Sequence, residues 1–236
     1  TMGRLIRSTG LDENCFKIIV IKTSGDKIQD RPLSEVGGKG LFTKEIEDAM
    51  LDHGIDIAVH SMKDMPVICP EGLMLNCYLP REDVRDSFIS TKYKSISELP
   101  KGATVGTSSL RRRAQLLSKR PDLKIVEFRG NVQTRLRKLD EGVAEATFLA
   151  CAGLNRLGRK DISNPIEPED MLPAIAQGCI GIEQRKGDIE IAEILSKIND
   201  KPASLRLAAE RTLLAGLDGS CQTPIAGLAE LDGQKM

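Results

Sequence analysis

The sequence contains no tryptophan and only 3% aromatic residues, so it offers few rings on which nucleic-acid bases could stack. Its 34 Lys and Arg residues are matched by 34 Asp and Glu residues, and the basic excess that is usual in nucleic-acid-binding proteins is absent. The chain also has no apolar run of about 18 residues, the length of a transmembrane helix. We therefore expect neither a nucleic-acid partner nor a membrane-spanning segment.

Potential ligands for a metal ion are scarce. The sequence has two histidines, His53 and His60, and none of its six cysteines forms a C-x-x-C pair. Cysteines that stay as unpaired thiols are typical of a reducing compartment. The start of the chain also lacks an apolar signal-peptide segment. These features predict a reducing, cytosol-like compartment and no histidine-rich metal site.

Short apolar runs alternate with amphipathic segments along the 236 residues, a pattern typical of α/β proteins. Strands are predicted at residues 16–21, 56–60, 73–79, 87–90, 103–105, 124–128, 146–150, 179–183 and 225–231. Helices are predicted at residues 41–51, 110–119, 131–139, 151–157, 189–198 and 203–215. The alternation favours mostly parallel sheets in two α/β lobes with a cleft between them. Ligands of such sheets bind beside the carboxyl ends of strands.

A basic stretch at residues 111–138 holds ten Lys and Arg residues and two acids, a surplus of eight positive charges. The polar turn before its first helix can cap that helix, whose free N–H groups attract anions. The guanidinium groups match carboxylates in shape and charge. The candidate anion-binding residues are Thr107, Ser109, Arg111, Arg112, Arg129 and Arg135. A solvated basic face explains the stretch about equally well, and the anion could be a carboxylate, a phosphate or nucleic acid.

Two further segments carry residues with possible chemistry. Residues 34–40 contain three glycines in four positions but do not match the phosphate-loop pattern, so they fit a mobile lid or an ordinary flexible loop. Asp64 directly follows a strand that we expect to be buried, where it could transfer a proton or stabilise positive charge. The alternative is a surface pair of Lys63 and Asp64 that contributes little.

Two single residues are more ambiguous. Cys221 lies in the polar turn of residues 218–224, where an accessible thiol could be a nucleophile or an attachment point. An ordinary loop cysteine is the simpler interpretation. His60 precedes Asp64, and a lone histidine is more often packed and hydrogen-bonded than a ligand.

Seven strings, in the same order, resemble the porphobilinogen deaminase family, also called the hydroxymethylbilane synthases. They are VGGKGLF (36–42), DIAVHSMKDMP (56–66), REDVRD (81–86), VGTSSLRR (105–112), FRGNVQTRL (128–136), LPAIAQG (172–178) and LDGSCQTPI (217–225). Several strings in order are far more specific than any single motif.

The resemblance implies three domains. Two periplasmic-binding-protein-like α/β domains are expected around a cleft, with domain 1 at residues 1–80 and 178–198 and domain 2 at residues 84–174. Residues 201–236 are expected to be the first part of a small α+β third domain. That domain is expected to be truncated, because only 15 residues follow Cys221. The opening strand of the family is also expected to be missing.

The resemblance further implies a transferase of haem and chlorophyll biosynthesis that acts as a monomer. Such an enzyme joins four porphobilinogen molecules head to tail, releases ammonia each time and yields hydroxymethylbilane. The growing chain is tethered through a covalent dipyrromethane cofactor, and the matching cysteine is Cys221. Asp64 matches the catalytic aspartate that stabilises cationic pyrrole intermediates, and Lys39 and Phe42 match the lid. The other matching cofactor- or carboxylate-binding residues are Lys63, Thr107, Ser109, Arg111, Arg112, Arg129, Arg135 and Gln177.

Two other functions compete with this interpretation. A non-catalytic, two-lobed anion-binding protein would have the same sheets and arginines but no covalent dipyrrole on Cys221. An RNA-binding protein that uses residues 111–138 would lose affinity steeply with salt, but the zero net charge and low aromatic content count against it.

Overall fold

The computed structural model describes residues 1–27, 43–217, 219 and 223–233, and these residues divide into two compact units. Unit 1 comprises residues 1–81, 179–218 and 229–236, and unit 2 comprises residues 82–178 and 219–228. The chain therefore leaves unit 1, builds most of unit 2 and returns. The predicted division into three domains is a different partition and stays a prediction.

Helices and strands alternate through both units. The helices are α1 (Met2–Thr9), α2 (Ser24–Lys27), α3 (Lys44–Leu51), α4 (Leu110–Lys119), α5 (Val132–Asp140), α6 (Cys151–Arg156), α7 (Ile189–Ser196) and α8 (Lys201–Gly216). The strands are β1 (Ile57–Ser61), β2 (Leu73–Tyr78), β3 (Asp86–Ile89), β4 (Thr104–Gly106), β5 (Lys124–Val126), β6 (Ala146–Ala150), β7 (Pro165–Ile166) and β8 (Ile180–Arg185). Within the described ranges, no helix is long and apolar enough to cross a membrane.

The sheet of unit 1 has the strand order β1-β8-β2, and both pairs are antiparallel. Alternate side chains of its strands point to opposite faces, so each face needs its own apolar cover. On one face Ile182 packs with Leu5 of α1 and Leu195 of α7. On the other face Ala58 packs with Met50 of α3.

The sheet of unit 2 has the strand order β5-β4-β6-β3-β7. Strand β4 runs parallel to its neighbours β5 and β6, and β3 runs antiparallel to β6 and β7. Phe148 is fully buried on β6 and packs with Phe88 and Leu116, whereas Phe128 packs with Leu139 in a second cluster. The loops after β4 and β5 consequently lie side by side.

The α/β fold class is confirmed, whereas the prediction of mostly parallel sheets is wrong: only the β4–β5 and β4–β6 pairs are parallel among the described strands. Helix α4 and strand β6 coincide with their predicted ranges, because a capping serine and a continuous apolar run mark them locally. The sheet of unit 1 is antiparallel because β8 does not follow β1 through a helical crossover. It returns after the chain has built unit 2, a connection that local sequence patterns do not encode.

Two predicted strands are also wrong. Residues 16–21 form no strand, and Ile18 and Val20 on this segment are 72% and 83% exposed. Residues 225–231 form none either, with an isolated bridge at Asp232. A strand requires a neighbour that completes its hydrogen bonds, and no described strand pairs with either segment.

Candidate active site

The turn between β4 and α4 places the first two arginines of the basic stretch. The side chain of Ser109 accepts a hydrogen bond from the backbone N–H of Arg112 and caps α4, as predicted. The Thr107 hydroxyl accepts from the N–H of Ser109 at 3.2 Å. Because α4 begins at Leu110, the next two residues project from its first turn.

Arg111 and Arg112 converge on the carboxylate of Asp86, which lies at the start of β3 and is 0% exposed. The Nη2 atom of Arg112 donates to Asp86 Oδ1 at 2.7 Å, and Nη2 of Arg111 lies 2.8 Å from Asp86 Oδ2. Both arginines are themselves buried. A solvated basic face is therefore the wrong interpretation for these two residues.

Main-chain and amide groups complete this cluster. The other terminal nitrogens of the two arginines donate to carbonyl oxygens: Arg112 to Phe148 at 3.0 Å and Arg111 to Leu172 at 2.7 Å. The side-chain amide of Gln177 donates to Asp86 Oδ1 at 2.9 Å. We refer to Asp86, Arg111, Arg112 and Gln177 as the Asp86 cluster.

Opposing effects set the charge states in the Asp86 cluster. Burial acts to raise the pKa of Asp86, but the charges of Arg112 and Arg111 outweigh it and hold that pKa well below the ordinary aspartate range. Burial also lowers the pKa of Arg111, and the like charge of Arg112 lowers it further, whereas Asp86 opposes both effects. Asp86 thus stays a carboxylate at neutral pH.

Two further arginines extend the positive region. Arg135 on α5 is half-buried, and its Nε donates to the carbonyl of Gly130 at 2.9 Å. Burial, with repulsion from Arg112 and Arg129, lowers the pKa of Arg135 to about 10. Within the described ranges no carboxylate pairs with Arg135. Partial burial, two neighbouring positive charges and the lack of a carboxylate partner make Arg135 suited to bind an anion.

Unit 1 carries Asp64 in a short turn (Met62–Asp64) directly after β1. The side chain of Asp64 is exposed and has no hydrogen-bond or ion-pair partner among the residues described, whereas neighbouring Lys63 is half-buried. The turn is attached to the sheet through the N–H of Met62, which donates to the carbonyl of Cys179 at 3.0 Å. The Asp64 carboxylate is consequently available for chemistry on a rigid support.

Gly181 on β8 makes room for that support. A Cβ atom at this position would clash with Sδ of Met62, which is fully buried, and would lie 2.9 Å from Cδ2 of Leu75. We expect Gly181→Ala to lower the free energy of unfolding by about 1–3 kcal/mol, because Met62 must move. Urea unfolding measures this loss. The matched control is Gly153→Ala on α6, where a Cβ meets nothing within 4 Å; equal losses in the two variants would contradict the packing argument.

His60 is a packed histidine, as its simpler interpretation predicted. It is buried on β1, and its Nε2 lies 3.0 Å from Oε2 of buried Glu183 on β8. Glu47 of α3 lies in the same region, where burial raises the pKa of its carboxyl. His60 therefore supports the strand that carries Asp64 and has no place in the chemistry.

Several predicted site residues lie outside the described ranges: Lys39, Phe42 and Cys221. Among the described cysteines, burial raises the pKa of the Cys77 thiol to about 11 and also raises those of Cys69 and Cys151. A raised pKa reduces the thiolate fraction, so these three thiols are poor nucleophiles.

The structure brings most of the predicted residues of unit 2 together and adds one that was missed. Arg111, Arg112 and Gln177 meet at Asp86, and Thr107 and Ser109 lie in the adjoining turn. Arg129 follows β5, the strand beside β4, and Arg135 lies on the next helix, α5. Asp86 ends the string REDVRD but had no predicted role. The available signal was an acid at the start of a fully buried strand, where it requires a cationic partner.

Comparisons with known proteins agree on one family. A family model described as "Porphobilinogen deaminase, dipyromethane cofactor binding domain" matches residues 2–193, and "Porphobilinogen deaminase, C-terminal domain" matches residues 204–236. Porphobilinogen deaminase of Paracoccus denitrificans (strain Pd 1222) is 65% identical over 237 residues, which cover 100% of this chain and 76% of that protein. Chloroplastic porphobilinogen deaminase of Pisum sativum is 53% identical over 223 residues, which cover 94% of this chain and 60% of that protein.

The solved structures that align with this chain are more distant in sequence. The VFT2 domain of Bordetella pertussis BvgS (double mutant F375E/Q461E) aligns with a TM-score of 0.48 at 17% identity, covering 90% of this chain and 81% of that one. A putative methionine-binding lipoprotein of Bacillus subtilis aligns with a TM-score of 0.43 at 16% identity, covering 68% and 76%. The two family models and the two curated relatives decide the assignment: the chain belongs to the porphobilinogen deaminase family, transferases of tetrapyrrole biosynthesis that carry a dipyrromethane cofactor.

Proposed function

We propose that this chain joins four porphobilinogen molecules head to tail, with loss of one ammonia at each addition, to give hydroxymethylbilane. The observation that supports this most directly is the convergence of Arg111 and Arg112 at buried Asp86, with the partly buried guanidinium of Arg135 near enough to Arg112 for their charges to repel. Each porphobilinogen brings an acetate and a propionate group, so an elongating chain accumulates carboxylates. A partly desolvated set of guanidinium groups is suited to bind them.

Arg111, Arg112, Arg129 and Arg135, with Ser109 and Thr107, bind these carboxylates in our proposal. Among them, the guanidinium groups of Arg111, Arg112 and Arg135 outnumber the single carboxylate of Asp86 by two within the described ranges. The residues present therefore fit a cofactor and a substrate that both carry acidic side chains. Gln177 and Lys63 are also assigned to cofactor binding in our proposal. A non-catalytic anion-binding protein is not favoured, because the curated relatives at 65% and 53% identity are deaminases.

We assign Asp64 the catalytic role. When ammonia leaves the aminomethyl group of porphobilinogen, positive charge develops on the pyrrole, and a nearby carboxylate lowers the energy of that state. The same oxygens can accept a hydrogen bond from the pyrrole N–H. Because Asp64 has no protein partner within the described ranges, its carboxylate need not be released before it acts.

Cys221 is the proposed attachment point of the cofactor through a thioether. When bound, the dipyrromethane supplies the free pyrrole carbon on which the chain grows. Lys39 and Phe42 belong to the proposed lid. We further propose that the protein acts as a monomer and works in the cytoplasm, or in a plastid if the source is plant-like.

The test of the function is an intact-mass spectrum of the purified holoenzyme under denaturing conditions. We expect the polypeptide mass plus two linked porphobilinogen-derived rings, and further increments of one ring after brief exposure to porphobilinogen. A bare polypeptide mass that does not change after incubation with porphobilinogen would refute the proposal. In that case the anion-binding alternative would gain support.

Carboxylate binding by the arginines has its own test in Arg135→Gln. We expect the KM for porphobilinogen to rise about tenfold or more, because a charge-assisted hydrogen bond is lost. The matched control is Arg137→Gln on the same helix, since Arg137 is exposed and pairs with Glu141. Steady-state kinetics compare the two variants. An unchanged KM in Arg135→Gln would remove this residue from the binding site.

A further inference from the structure

Asp86 is the most completely enclosed charged group in unit 2 to which the reaction assigns no role. Its carboxylate is 0% exposed, and Oδ1 accepts from Arg112 Nη2 at 2.7 Å and from Gln177 Nε2 at 2.9 Å. The Nη2 atom of Arg111 lies 2.8 Å from Oδ2. We propose that Asp86 is a positioning residue that fixes the guanidinium groups of Arg111 and Arg112 for binding of the substrate carboxylates.

The contacts of the two arginines determine the orientation of each group. Every guanidinium is held at two points, one on Asp86 and one on a main-chain carbonyl, of Phe148 for Arg112 and of Leu172 for Arg111. Two contacts fix a planar group against rotation as well as displacement. Nε of Arg112 remains buried without a hydrogen-bond partner within the described ranges. The Nε–H group of Arg112 is thus a donor of fixed direction that has no acceptor among the described residues.

The charges explain why such fixing is required. Arg111 and Arg112 are adjacent in sequence and repel each other, and each is largely removed from solvent that would screen the repulsion. Asp86 lies against both, so it offsets the repulsion at short range. One carboxylate cannot neutralise both arginines, so the Asp86 cluster keeps a net positive charge that attracts anions. Asp86 therefore orients both guanidinium groups while it offsets only one of their two charges.

The role of Asp86 rests on the proposed function, because it acts through arginines that bind carboxylates. The test compares Asp86→Asn with a matched control, Glu210→Gln, in the holoenzyme. Glu210 makes a similarly buried pair with Arg81 at 2.6 and 3.0 Å in unit 1. Both variants lose the charge of a buried carboxylate paired with arginine, so both should melt at a lower temperature.

The two variants should differ in substrate binding. For Asp86→Asn we expect the KM for porphobilinogen to rise about tenfold, with altered proportions of the covalent intermediates in the intact-mass spectrum. For Glu210→Gln we expect both readouts to stay within twofold of the parent. A lowered melting temperature in Asp86→Asn with unchanged KM and unchanged intermediates would overturn the proposal and leave Asp86 a purely structural residue.

A second variant covers the case in which Asp86→Asn does not fold. Asp86→Glu keeps the negative charge but moves the carboxylate by one methylene group, so it should fold with displaced arginines and a raised KM. Parent-like KM and intermediates in Asp86→Glu would then refute the positioning role. The Arg135→Gln variant distinguishes failure of the positioning role of Asp86 from failure of carboxylate binding by the arginines. If it raises KM while the Asp86 variants do not, only positioning fails; if it too leaves KM unchanged, carboxylate binding itself fails.

Discussion

Asp64→Ala should lower the rate of hydroxymethylbilane formation by about 100-fold or more while leaving the fold intact. The rate should fall because the variant lacks the carboxylate that stabilises positive charge on the pyrrole, and removal of one such electrostatic contact costs about two to three orders of magnitude. The fold should persist because Asp64 is exposed and makes no contact that holds unit 1 together within the described ranges. Product formation and thermal melting measure the two effects separately.

Two control variants define the result for Asp64. Asp64→Asn keeps the size and hydrogen-bonding capacity of the side chain but removes its charge, so it should be nearly as slow as the alanine variant. Glu71→Ala removes another exposed carboxylate from unit 1 and should keep the parent rate. Parent-like turnover in either Asp64 variant would withdraw the catalytic assignment.

Cys221→Ser should abolish the covalent dipyrromethane completely. A serine hydroxyl at neutral pH lacks the nucleophilicity of a thiolate, so a thioether-like bond should not form. The intact-mass spectrum of the purified variant should show the bare polypeptide, and turnover should be lost with the cofactor. This change is the largest in mass that any single substitution in the chain is expected to produce.

Another cysteine serves as the control for Cys221. Cys15 is an exposed cysteine among those described, so Cys15→Ser tests whether accessibility alone directs attachment. We expect the full adduct to remain in that variant. An adduct that persists in Cys221→Ser, or disappears in Cys15→Ser, would place the attachment site elsewhere.

Local signals in the sequence predicted the elements that carry the site. Helix α4 is marked by Ser109 as a capping residue, and the Asp64 turn follows a short apolar run that is recognisable as a strand. Each of these signals involves only a few neighbouring residues, so it can be recognised in the sequence without knowledge of the fold. They also placed Arg111 and Arg112 at the start of a helix, where the structure has them.

Asp86 could not be placed in the same way. It is separated from Arg112 by 26 residues, and their contact depends on the antiparallel pairing of β3 with β6 and the parallel pairing of β6 with β4. Sheet order and strand direction are properties of the whole unit. For the same reason the sequence suggested that the guanidinium groups of Arg111 and Arg112 were free to bind an anion. In the structure each of them already contacts the Asp86 carboxylate and a main-chain carbonyl oxygen.

The exposed apolar segment of residues 16–21 has a consequence for handling the protein. Its sequence FKIIVI has high β-propensity, its backbone pairs with no described strand, and β1 has β8 as its one neighbour among the strands that the structure describes. Exposed apolar segments with high β-propensity can pair with other copies of a chain and so promote aggregation. Lys17 and Lys22 lie within and beside the segment, and both are exposed. Charged residues within or beside an apolar run oppose such pairing, so replacing Lys17 and Lys22 by apolar residues should make this chain aggregate more readily.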